Sequence, residues 1–371
     1  MRVIIAAAGT GGHINPGIAI ANKIKQEEKN SQIIFIGTDR GLENDLVPRA
    51  GYELKTINAY GLSKEISIRN LKHILKTLKS YGEAKKIIEK FKPDIVIGTG
   101  GYICGPVISS AHKLGIPTML HESNAFPGKA VKMLAKKADC ILVSFEDAIP
   151  RIKNAKKVIY TGTPTKIVKK NYSKEELDKR EKEAGLKDNL PTVLVFGGSQ
   201  GAQAINEAII GIAKAKLNKE YQIMWATGPK QYDLIKEKFE NENLNINRIN
   251  NMKIVPYIYN MEEIMNISDV IVARSGAMTI SEISNLGKPS ILVPLPNVSN
   301  DHQLYNAKVL ANIGAAKIVL NKELTAEKLD LEIKNIVLYP QVMEKMGINE
   351  SKVATSNVED TIYREVKKIV K

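Results

Sequence analysis

The chain has 371 residues, more than one hydrophobic core usually supports, so we expect two domains. Hydrophobic residues make up 43% and charged residues 25%, which excludes a disordered or fibrous protein, and two cysteines, Cys104 and Cys140, are too few for a disulfide framework or a four-ligand zinc site. The 54 Lys and Arg residues exceed the 40 Asp and Glu residues by 14, which indicates an anionic partner.

The positive charge lies mainly in the first half of the chain. Up to Thr163 there are 25 basic and 14 acidic residues, a net +11, whereas the remainder has 29 basic and 26 acidic residues, a net +3. No stretch has the roughly 18 uncharged apolar residues that a membrane-spanning helix needs. The apolar run at 3–8 is too short for a signal peptide and fits a buried strand better. We therefore expect a cytoplasmic protein that contacts a membrane only from outside.

Short apolar, β-branched runs alternate with stretches of helical periodicity, which is typical of parallel sheets covered by helices. Several runs end in a glycine-rich or small-residue turn that opens a helix, as at 9–12, 99–101, 197–201 and 274–277. The predicted strands are 3–8, 33–37, 95–99, 118–121, 140–144, 192–197, 223–227, 253–256, 270–273 and 290–294.

The two halves resemble each other weakly. VIIAAAGTGGHINPGIAIANKI (3–24) recurs as VLVFGGSQGAQAINEAIIGIA (193–213), which indicates two doubly wound α/β domains facing a cleft lined by glycine loops. GTPTK at 162–166 is the predicted linker. We place the domains at 1–161 and 162–351, with an amphipathic C-terminal helix within 352–371 packing back on the first domain.

GTGGHINPG (9–17) has the form of a loop that binds phosphate, because a glycine turn exposes backbone N–H groups at the positive end of a helix dipole. It is not a dinucleotide fingerprint, since Ile14 stands where the third glycine belongs, and the chain has no P-loop. His13 within this loop is a candidate for proton transfer. The alternative is a histidine that only bonds the backbone.

HESN (121–124) ends another predicted strand with four polar side chains, which either cap a helix or meet a ligand. GGSQG (197–201) matches the nucleophile elbow of hydrolases, a motif that needs a later acid and a later histidine. Only His302 follows, directly after Asp301, although Asp269 is another possible acid. Otherwise Ser199 and nearby N–H groups bind a phosphate.

SGAMTISE (275–282) starts a predicted helix with small residues whose N–H groups suit a diphosphate, and Glu282 is placed to accept bonds from sugar hydroxyls or else is an ordinary solvated glutamate. NDHQLYNA (300–307) adds side chains able to bind hydroxyls, so the ligand is predicted to be a sugar. The chain has no D-x-D or H-x-x-x-H motif, so we expect no metal and no cofactor. Arg274 or Lys166 would then stabilise a departing diphosphate.

Six motifs in order, GTGGHINPG, GTGGY (98–102), HESN, GGSQGAQAIN, ARSGAMTISE and NDHQLYNA, resemble the peptidoglycan N-acetylglucosaminyltransferases of glycosyltransferase family 28. The resemblance implies the GT-B fold, with an acceptor domain followed by a donor domain. It implies inverting transfer of N-acetylglucosamine from UDP-GlcNAc to the muramic acid 4-hydroxyl of lipid I (undecaprenyl-diphospho-MurNAc-pentapeptide), which forms lipid II for cell-wall biogenesis and so serves cell shape and division.

The resemblance also implies roles for single residues. His13 is the base or positions the base. Glu282 binds the ribose hydroxyls, and the backbone of Ile258 recognises uracil. Lys166 stands where some relatives have arginine, which keeps the charge but loses bidentate geometry, and His302 stands where some have glutamine. The implied substrate-binding positions are Thr10, Gly11, Gly12, Asn124, Lys166, Ser199, Ile258, Ala277, Met278, Thr279, Ile280, Ser281, Glu282 and Gln303.

Residues 61–91 carry lysines and an arginine around an apolar stripe, which fits a helix on an anionic bilayer. With the resemblance, this predicts a peripheral protein on the cytoplasmic face of the cell membrane; the alternative is a core-packing helix with a solvated basic face. The basic residues are Lys64, Arg69, Lys72, Lys76, Lys79, Lys85, Lys86 and Lys90, and the apolar ones are Ile68, Leu71, Ile74, Leu75 and Leu78.

Two other functions remain open on the sequence. A related UDP-sugar transferase acting on another lipid acceptor, such as diacylglycerol, would keep the donor motifs. A basic nucleic-acid-binding or membrane-binding protein without catalysis would need aromatic residues among its basic ones to stack on nucleic acid, but only 5% of residues are aromatic. We therefore expect no nucleic-acid partner.

Overall fold

The computed structural model describes residues 1–61, 68–165, 167–187, 189–198 and 200–370, without the side chains at 68–72, 74, 75 and 299. The chain divides into two compact units. Unit 1 comprises Met1–Thr165 and Thr355–Lys371, and unit 2 comprises Lys166–Ala354. Among the described residues, no helix combines the length and apolar character needed to cross a bilayer.

Each unit contains one parallel sheet. The strands of the first sheet are β1 (Arg2–Ala7), β2 (Gln32–Gly37), β3 (Glu53–Thr56), β4 (Ile95–Gly100), β5 (Thr118–Glu122), β6 (Cys140–Val143) and β7 (Val158–Tyr160). Those of the second sheet are β8 (Thr192–Phe196), β9 (Gln222–Ala226), β10 (Met252–Val255), β11 (Val270–Ala273), β12 (Ser290–Leu292) and β13 (Ala316–Ile318).

The described residues also form α-helices, most of which alternate with the strands along the chain. They are α1 (Gly11–Glu27), α2 (Glu43–Arg49), α3 (Ile68–Phe91), α4 (Cys104–Lys113), α5 (Lys129–Leu134), α6 (Lys174–Glu183), α7 (Gln203–Ala215), α8 (Pro229–Glu240), α9 (Met261–Ile267), α10 (Ala277–Leu286), α11 (His302–Ala311), α12 (Ala326–Val337), α13 (Pro340–Ser351) and α14 (Val358–Ile369).

The strand order is that of a doubly wound sheet in both units. In the described part of unit 1 the order is β3-β2-β1-β4-β5-β6-β7, and in unit 2 it is β10-β9-β8-β11-β12-β13. The order reverses between β1 and β4 in the first sheet and between β8 and β11 in the second. Ligands bind outside the carboxyl ends of the strands at such switch points, so each unit has one expected binding edge.

Alternating side chains of β1 build a core on each face of the first sheet. Val3 and Ile5 pack with α1, α2 and α14, whereas Ile4 packs with α3 and α4 on the opposite face. Helix α14 belongs to unit 1 although it lies at the end of the chain, and its Lys367 bonds Glu28, the residue that follows α1, at 2.7 Å.

All ten predicted strand runs overlap observed strands, with ends that differ by at most two residues. The three observed strands that were not predicted, β3, β7 and β13, all lie at sheet edges. Strand β7 has only three residues, and β3 and β13 contain charged residues, so none of the three has an apolar run as long as those of the central strands. Glu53 and Lys55 in β3 are exposed, and Lys317 interrupts β13. The α/β fold with two Rossmann-like units is confirmed.

Candidate active site

The first glycine loop begins where β1 ends, at the switch point of unit 1. Thr10 is the N-cap of α1, but its side chain makes no capping hydrogen bond. The first N–H groups of a helix have no partner within the helix. The start of α1, at Gly11 and Gly12, therefore presents backbone donors and the positive end of the helix dipole, as predicted for a loop that binds anions.

The GTGGH and GTGGY loops pack closely against each other across this switch point. The hydroxyl of Thr99 donates to the carbonyl oxygen of His13 at 2.7 Å. A Cβ atom on Gly100 would overlap the imidazole of His13, and one on Gly101 would lie 2.7 Å from the carbonyl oxygen of Ala8. The missing side chain of Gly100 lets the imidazole lie directly against the second loop, and that of Gly101 lets the same loop approach the backbone after β1.

Within HESN, Glu122 organises the loop that follows β5. Its buried carboxylate accepts hydrogen bonds from the backbone and side-chain N–H groups of Asn124, at 2.9 and 3.1 Å, and from the N–H of Gly128 at 2.7 Å. Burial raises the pKa of Glu122 although these donors act against it. Asn124, the predicted donor contact, is thereby held in place at the carboxyl edge of the first sheet.

His121 and Ser123 face the interior instead. His121 has no exposed surface, and its Nε2 lies 3.3 Å from the carbonyl oxygen of Gly162. Burial lowers the pKa of His121 to about 4, so the ring is neutral at pH 7. Of the four polar side chains in HESN, only Asn124 is partly exposed, so the other three support the loop.

The second glycine loop follows β8 at the switch point of unit 2. Ser199 and Lys166 lie outside the described residues, so their predicted contacts stay predictions. A Cβ atom on Gly201 would overlap the carbonyl oxygen of Thr227, and one on Gly228 would lie 2.5 Å from the nitrogen of Gly201. This glycine loop therefore packs on the turn that follows β9.

A buried polar network lies beneath this turn. The side-chain amide of Asn206 donates to the carbonyl oxygen of Thr227 at 2.9 Å and to Gln231 at 2.6 Å, and its oxygen accepts from the indole N–H of Trp225 at 3.0 Å. The network satisfies the buried indole N–H and both ends of the Asn206 amide. The supporting roles of Asn206 and Trp225 were not predicted, because Asn206 bonds residues about 20 positions further along the chain and the motif itself gives no sign of these contacts.

The ARSGAMTISE motif forms the start of α10. Ile280 is fully buried, and the hydroxyl of Ser281 donates back to the carbonyl oxygen of Ala277. Met278, Thr279 and Glu282 are partly exposed and share one helix face by their spacing. Burial raises the pKa of Glu282 to about 7. The predicted ligand positions of this motif therefore divide into a packing face and an accessible face.

The NDHQLYNA segment is bonded to this motif. The hydroxyl of Ser275 donates to the backbone oxygen of Gln303 at 2.8 Å, and the side-chain amide of Asn306 donates to the backbone oxygen of Ser275 at 3.1 Å. The side-chain oxygen of Gln303 accepts from the N–H of Leu295, which leaves its NH₂ group as the end able to meet a sugar hydroxyl. Arg274 donates to the carbonyl oxygen of Val293 at 3.0 Å.

Two further predicted residues lie at opposite ends of the strands of the second sheet. Ile258 follows the carboxyl end of β10, where it is buried between two exposed tyrosines. Asp269 precedes β11, and its carboxylate accepts from the N–H of Thr192 at the amino end of β8. Because Ser199 follows the carboxyl end of β8, Asp269 is on the wrong edge to be the acid of a hydrolase triad.

Two doubly wound units with glycine loops and uncapped helix N termini at their switch points are the architecture of the GT-B class. Residues 3–143 match the glycosyltransferase family 28 N-terminal domain, and residues 192–362 match the family 28 C-terminal domain. The chain belongs to glycosyltransferase family 28 and is a hexosyltransferase. This excludes the hydrolase and the protein without catalysis.

Similar proteins cover the whole chain. It is 44% identical to the UDP-N-acetylglucosamine–N-acetylmuramyl-(pentapeptide) pyrophosphoryl-undecaprenol N-acetylglucosamine transferase of Thermoanaerobacter sp. (strain X514), over 100% of both chains. It is 30% identical to Acinetobacter baumannii MurG, whose crystal structure matches with a TM-score of 0.80 over 99% of each chain. The UDP-GlcNAc 2-epimerase of Neisseria meningitidis, 16% identical with a TM-score of 0.65 over 99% of this chain and 100% of the epimerase, shares the fold.

The Asn206 network predicts a local effect on the second glycine loop. Asn206→Ala leaves the buried indole N–H of Trp225 without its partner, so we expect stability to fall by about 1–3 kcal/mol. Trp225 is the single tryptophan of the chain, so its emission spectrum should change and UDP binding should weaken.

The matched control is Asn218→Ala. Asn218 is equally buried and its amide donates to the carbonyl oxygens of Asn250 and Asn251, before the amino end of β10. It should lower stability in urea unfolding without changing UDP binding. Equal loss of UDP binding in both variants would contradict a specific role for Asn206.

Proposed function

We propose that this chain transfers N-acetylglucosamine from UDP-GlcNAc to the muramic acid 4-hydroxyl of lipid I, with inversion, and so forms lipid II. The proposal rests chiefly on the full-length similarity to the Thermoanaerobacter transferase, whose name states this acceptor and this sugar. The arrangement of both switch points agrees with it. The switch point of unit 1 has His13 beside backbone N–H groups, and that of unit 2 has backbone N–H groups together with Glu282 as a hydrogen-bond acceptor.

Unit 2 is proposed to hold the nucleotide sugar. The uncapped N termini of α7 and α10 present N–H groups to the diphosphate. Arg274, fixed by the carbonyl oxygen of Val293, adds a positive charge beside them. Glu282 accepts from the ribose hydroxyls, and the NH₂ group of Gln303 donates to the sugar.

Unit 1 is proposed to supply the base. As the acceptor oxygen attacks C1 of N-acetylglucosamine, the imidazole of His13 takes the proton of the 4-hydroxyl or positions the group that takes it. The bond between C1 and the diphosphate oxygen breaks, and its electrons leave on UDP. Attack from the face opposite the leaving group inverts the configuration. Thr10, Gly11, Gly12 and Asn124 are the residues of unit 1 that we propose to contact the donor sugar.

We further propose that unit 1 contacts the cytoplasmic face of the membrane. Leu78 on α3 is 62% exposed between the exposed Lys76 and Lys79. Further along the same helix, Ala84 and Ile88 are fully buried, so α3 also packs on the core. The positions 64, 69, 72 and the apolar positions 68, 71, 74 and 75 lie outside the described side chains. An exposed leucine among lysines suits an anionic bilayer.

The reaction is tested with labelled UDP-GlcNAc and a lipid I analogue, and in parallel with diacylglycerol. We expect transfer to lipid I alone. In His13→Ala, turnover should fall by at least about 100-fold, because a general base contributes about that much, while UDP binding stays unchanged.

His112→Ala is the control for the loss of a histidine, since His112 is exposed on the last turn of α4, at the opposite edge of the first sheet. It should keep full activity. Transfer only to diacylglycerol would contradict the proposed acceptor, and a normal rate in His13→Ala would remove His13 from the proton transfer.

The role of Glu282 predicts proton release on binding of UDP-GlcNAc, whose diphosphate is esterified at both ends and, unlike that of UDP, does not titrate near pH 7. With a pKa of about 7, the carboxyl group is roughly half protonated at pH 7 in the free protein. Ribose hydroxyls that donate to the carboxylate favour its charged form and lower this pKa, so binding should release up to about half a proton. Calorimetry in two buffers of different ionisation enthalpy measures this release.

Glu282→Gln should abolish the buffer dependence. Glu350→Gln should retain it, because Glu350 is also a buried carboxyl with a raised pKa but lies on α13 rather than at an accessible helix start. A buffer-independent enthalpy in the unmodified protein would contradict the role of Glu282.

The membrane contact predicts that Leu78→Glu weakens binding to phosphatidylglycerol vesicles by about tenfold or more, because burying a leucine side chain contributes roughly 1.5–3 kcal/mol. Leu338→Glu is the control, since Leu338 is also exposed but belongs to unit 2. Vesicle co-sedimentation measures both. Equal binding by the two variants would argue against this surface.

A further inference from the structure

Glu43, the first residue of α2, is a fully buried carboxylate that no motif singled out. One of its oxygens accepts a hydrogen bond from the N–H of Gly9 at 3.0 Å. The other accepts from the N–H of Thr38 at 3.0 Å and from its hydroxyl at 2.6 Å. Glu43 therefore joins the loop after β1 to the loop after β2, two neighbouring strands of the first sheet.

The surrounding chain leaves room for this carboxylate. A Cβ atom on Gly37 would lie 2.8 Å from the Cγ of Glu43, and one on Gly41 would overlap its carboxyl oxygens. Both glycines have negative φ, so backbone conformation does not require them. Their missing side chains are explained by the space that Glu43 occupies.

The charge of Glu43 is held by backbone and hydroxyl dipoles. Burial alone would raise its pKa, but the hydroxyl of Thr38 and the N–H groups of Gly9, Thr38 and Glu43 itself bring the pKa below its ordinary value. Arg40, close in sequence, forms its ion pair with Asp39 at 3.1 Å. The carboxylate is thus ionised at neutral pH and fixed in direction by the groups that donate to it.

The bond to Glu43 holds Gly9, the first residue of the glycine loop that contains the proposed base. Gly9 precedes Thr10, and the carbonyl oxygen of Thr10 accepts from the N–H of His13 at 3.0 Å. A displacement of Gly9 is therefore carried through one peptide unit to the first turn of α1. That turn sets where the His13 imidazole meets Gly100.

We propose that Glu43 is a positioning residue for proton transfer: by holding Gly9, it fixes the backbone of residues 9–13 and so the place of the His13 imidazole. The inference rests on the proposed function in taking His13 as the group that handles the proton. The proposed site at the carboxyl edge of the first sheet is then built by three loops, those after β1, β2 and β4, rather than by the two glycine motifs alone.

Asp139 provides a matched control within the same unit. Its carboxylate accepts from the N–H of Thr118 at 2.9 Å and from the hydroxyl of the same threonine at 3.3 Å, as Glu43 does with Thr38. Thr118 opens β5, so this bond lies at the amino edge of the first sheet, away from the glycine loops. Loss of either carboxylate should lower stability, but only loss of Glu43 should disturb the site.

The test compares Glu43→Gln with Asp139→Asn in the full chain. A glutamine must turn its NH₂ group toward the N–H of Gly9 or that of Thr38, so one of these two bonds is lost and the other no longer has a charged acceptor. We expect kcat with the lipid I analogue to fall by about tenfold or more, since small displacements of reacting groups cost this much, with KM for UDP-GlcNAc changed less than about twofold. Amide hydrogen exchange in a peptide covering residues 9–13 should become faster.

Asp139→Asn should change neither kcat nor exchange at residues 9–13 by more than about twofold, although its melting temperature should fall. If Glu43→Gln does not fold, Thr38→Val and Thr38→Ser take its place. Valine removes the hydroxyl donor to Glu43 and should lower kcat, whereas serine keeps the hydroxyl and should restore it.

The inference is overturned if Glu43→Gln, or Thr38→Val in its place, slows turnover no more than Asp139→Asn does, or if exchange at residues 9–13 does not change. Hydrogen exchange needs no substrate. If the unmodified protein fails to use lipid I, the proposed function fails, while the exchange comparison still decides whether Glu43 holds the loop.

Discussion

The close approach of backbone segments at the two switch points is the constraint on which the rest of the structure depends. At the first, Gly100 must lack a side chain for the His13 imidazole to lie against it. At the second, Gly201 lies against the turn at Thr227 and Gly228. Backbone N–H groups at the uncapped helix starts are left without a partner within the helix, which is the arrangement that suits a phosphate. This explains why the motifs of the chain are rich in glycine.

The uneven charge follows from the same constraint. A half of the chain whose proposed phosphate-binding groups are backbone dipoles needs little excess positive charge, and the half after Thr163 has +3. The +11 of the first half includes exposed lysines on α3, which lie far along the chain from the first glycine loop. Salt screens exposed charges beyond short distances, so these lysines interact with groups close to the protein surface. An anionic bilayer is therefore a better partner for them than the nucleotide.

Sequence patterns predicted those parts of the fold that have a local signal. The central strands carry continuous apolar runs because both faces are covered, and all were predicted; of the four edge strands only β10 was predicted, and β3, β7 and β13 were not. The predictions for the site divide in the same way, into residues with a local sequence signal and residues without one. Loops such as GTGGH show their chemistry in adjacent residues, whereas the bond from Glu43 to Gly9 joins positions 34 residues apart. Only the pairing of β1 with β2 brings them together.

The two units support their glycine loops from the same place in the sheet but with different chemistry. In each, the support comes from the strand beside the loop-bearing strand, β2 beside β1 and β9 beside β8. Unit 1 uses the carboxylate of Glu43, whereas unit 2 uses Thr227 held by the neutral amide of Asn206. A fixed negative charge beside a loop that holds a diphosphate would repel it. A neutral amide avoids that repulsion in unit 2, where we propose that the nucleotide sugar binds, while the carboxylate in unit 1 is bonded to the backbone of Gly9 and so can fix the position of the proposed base.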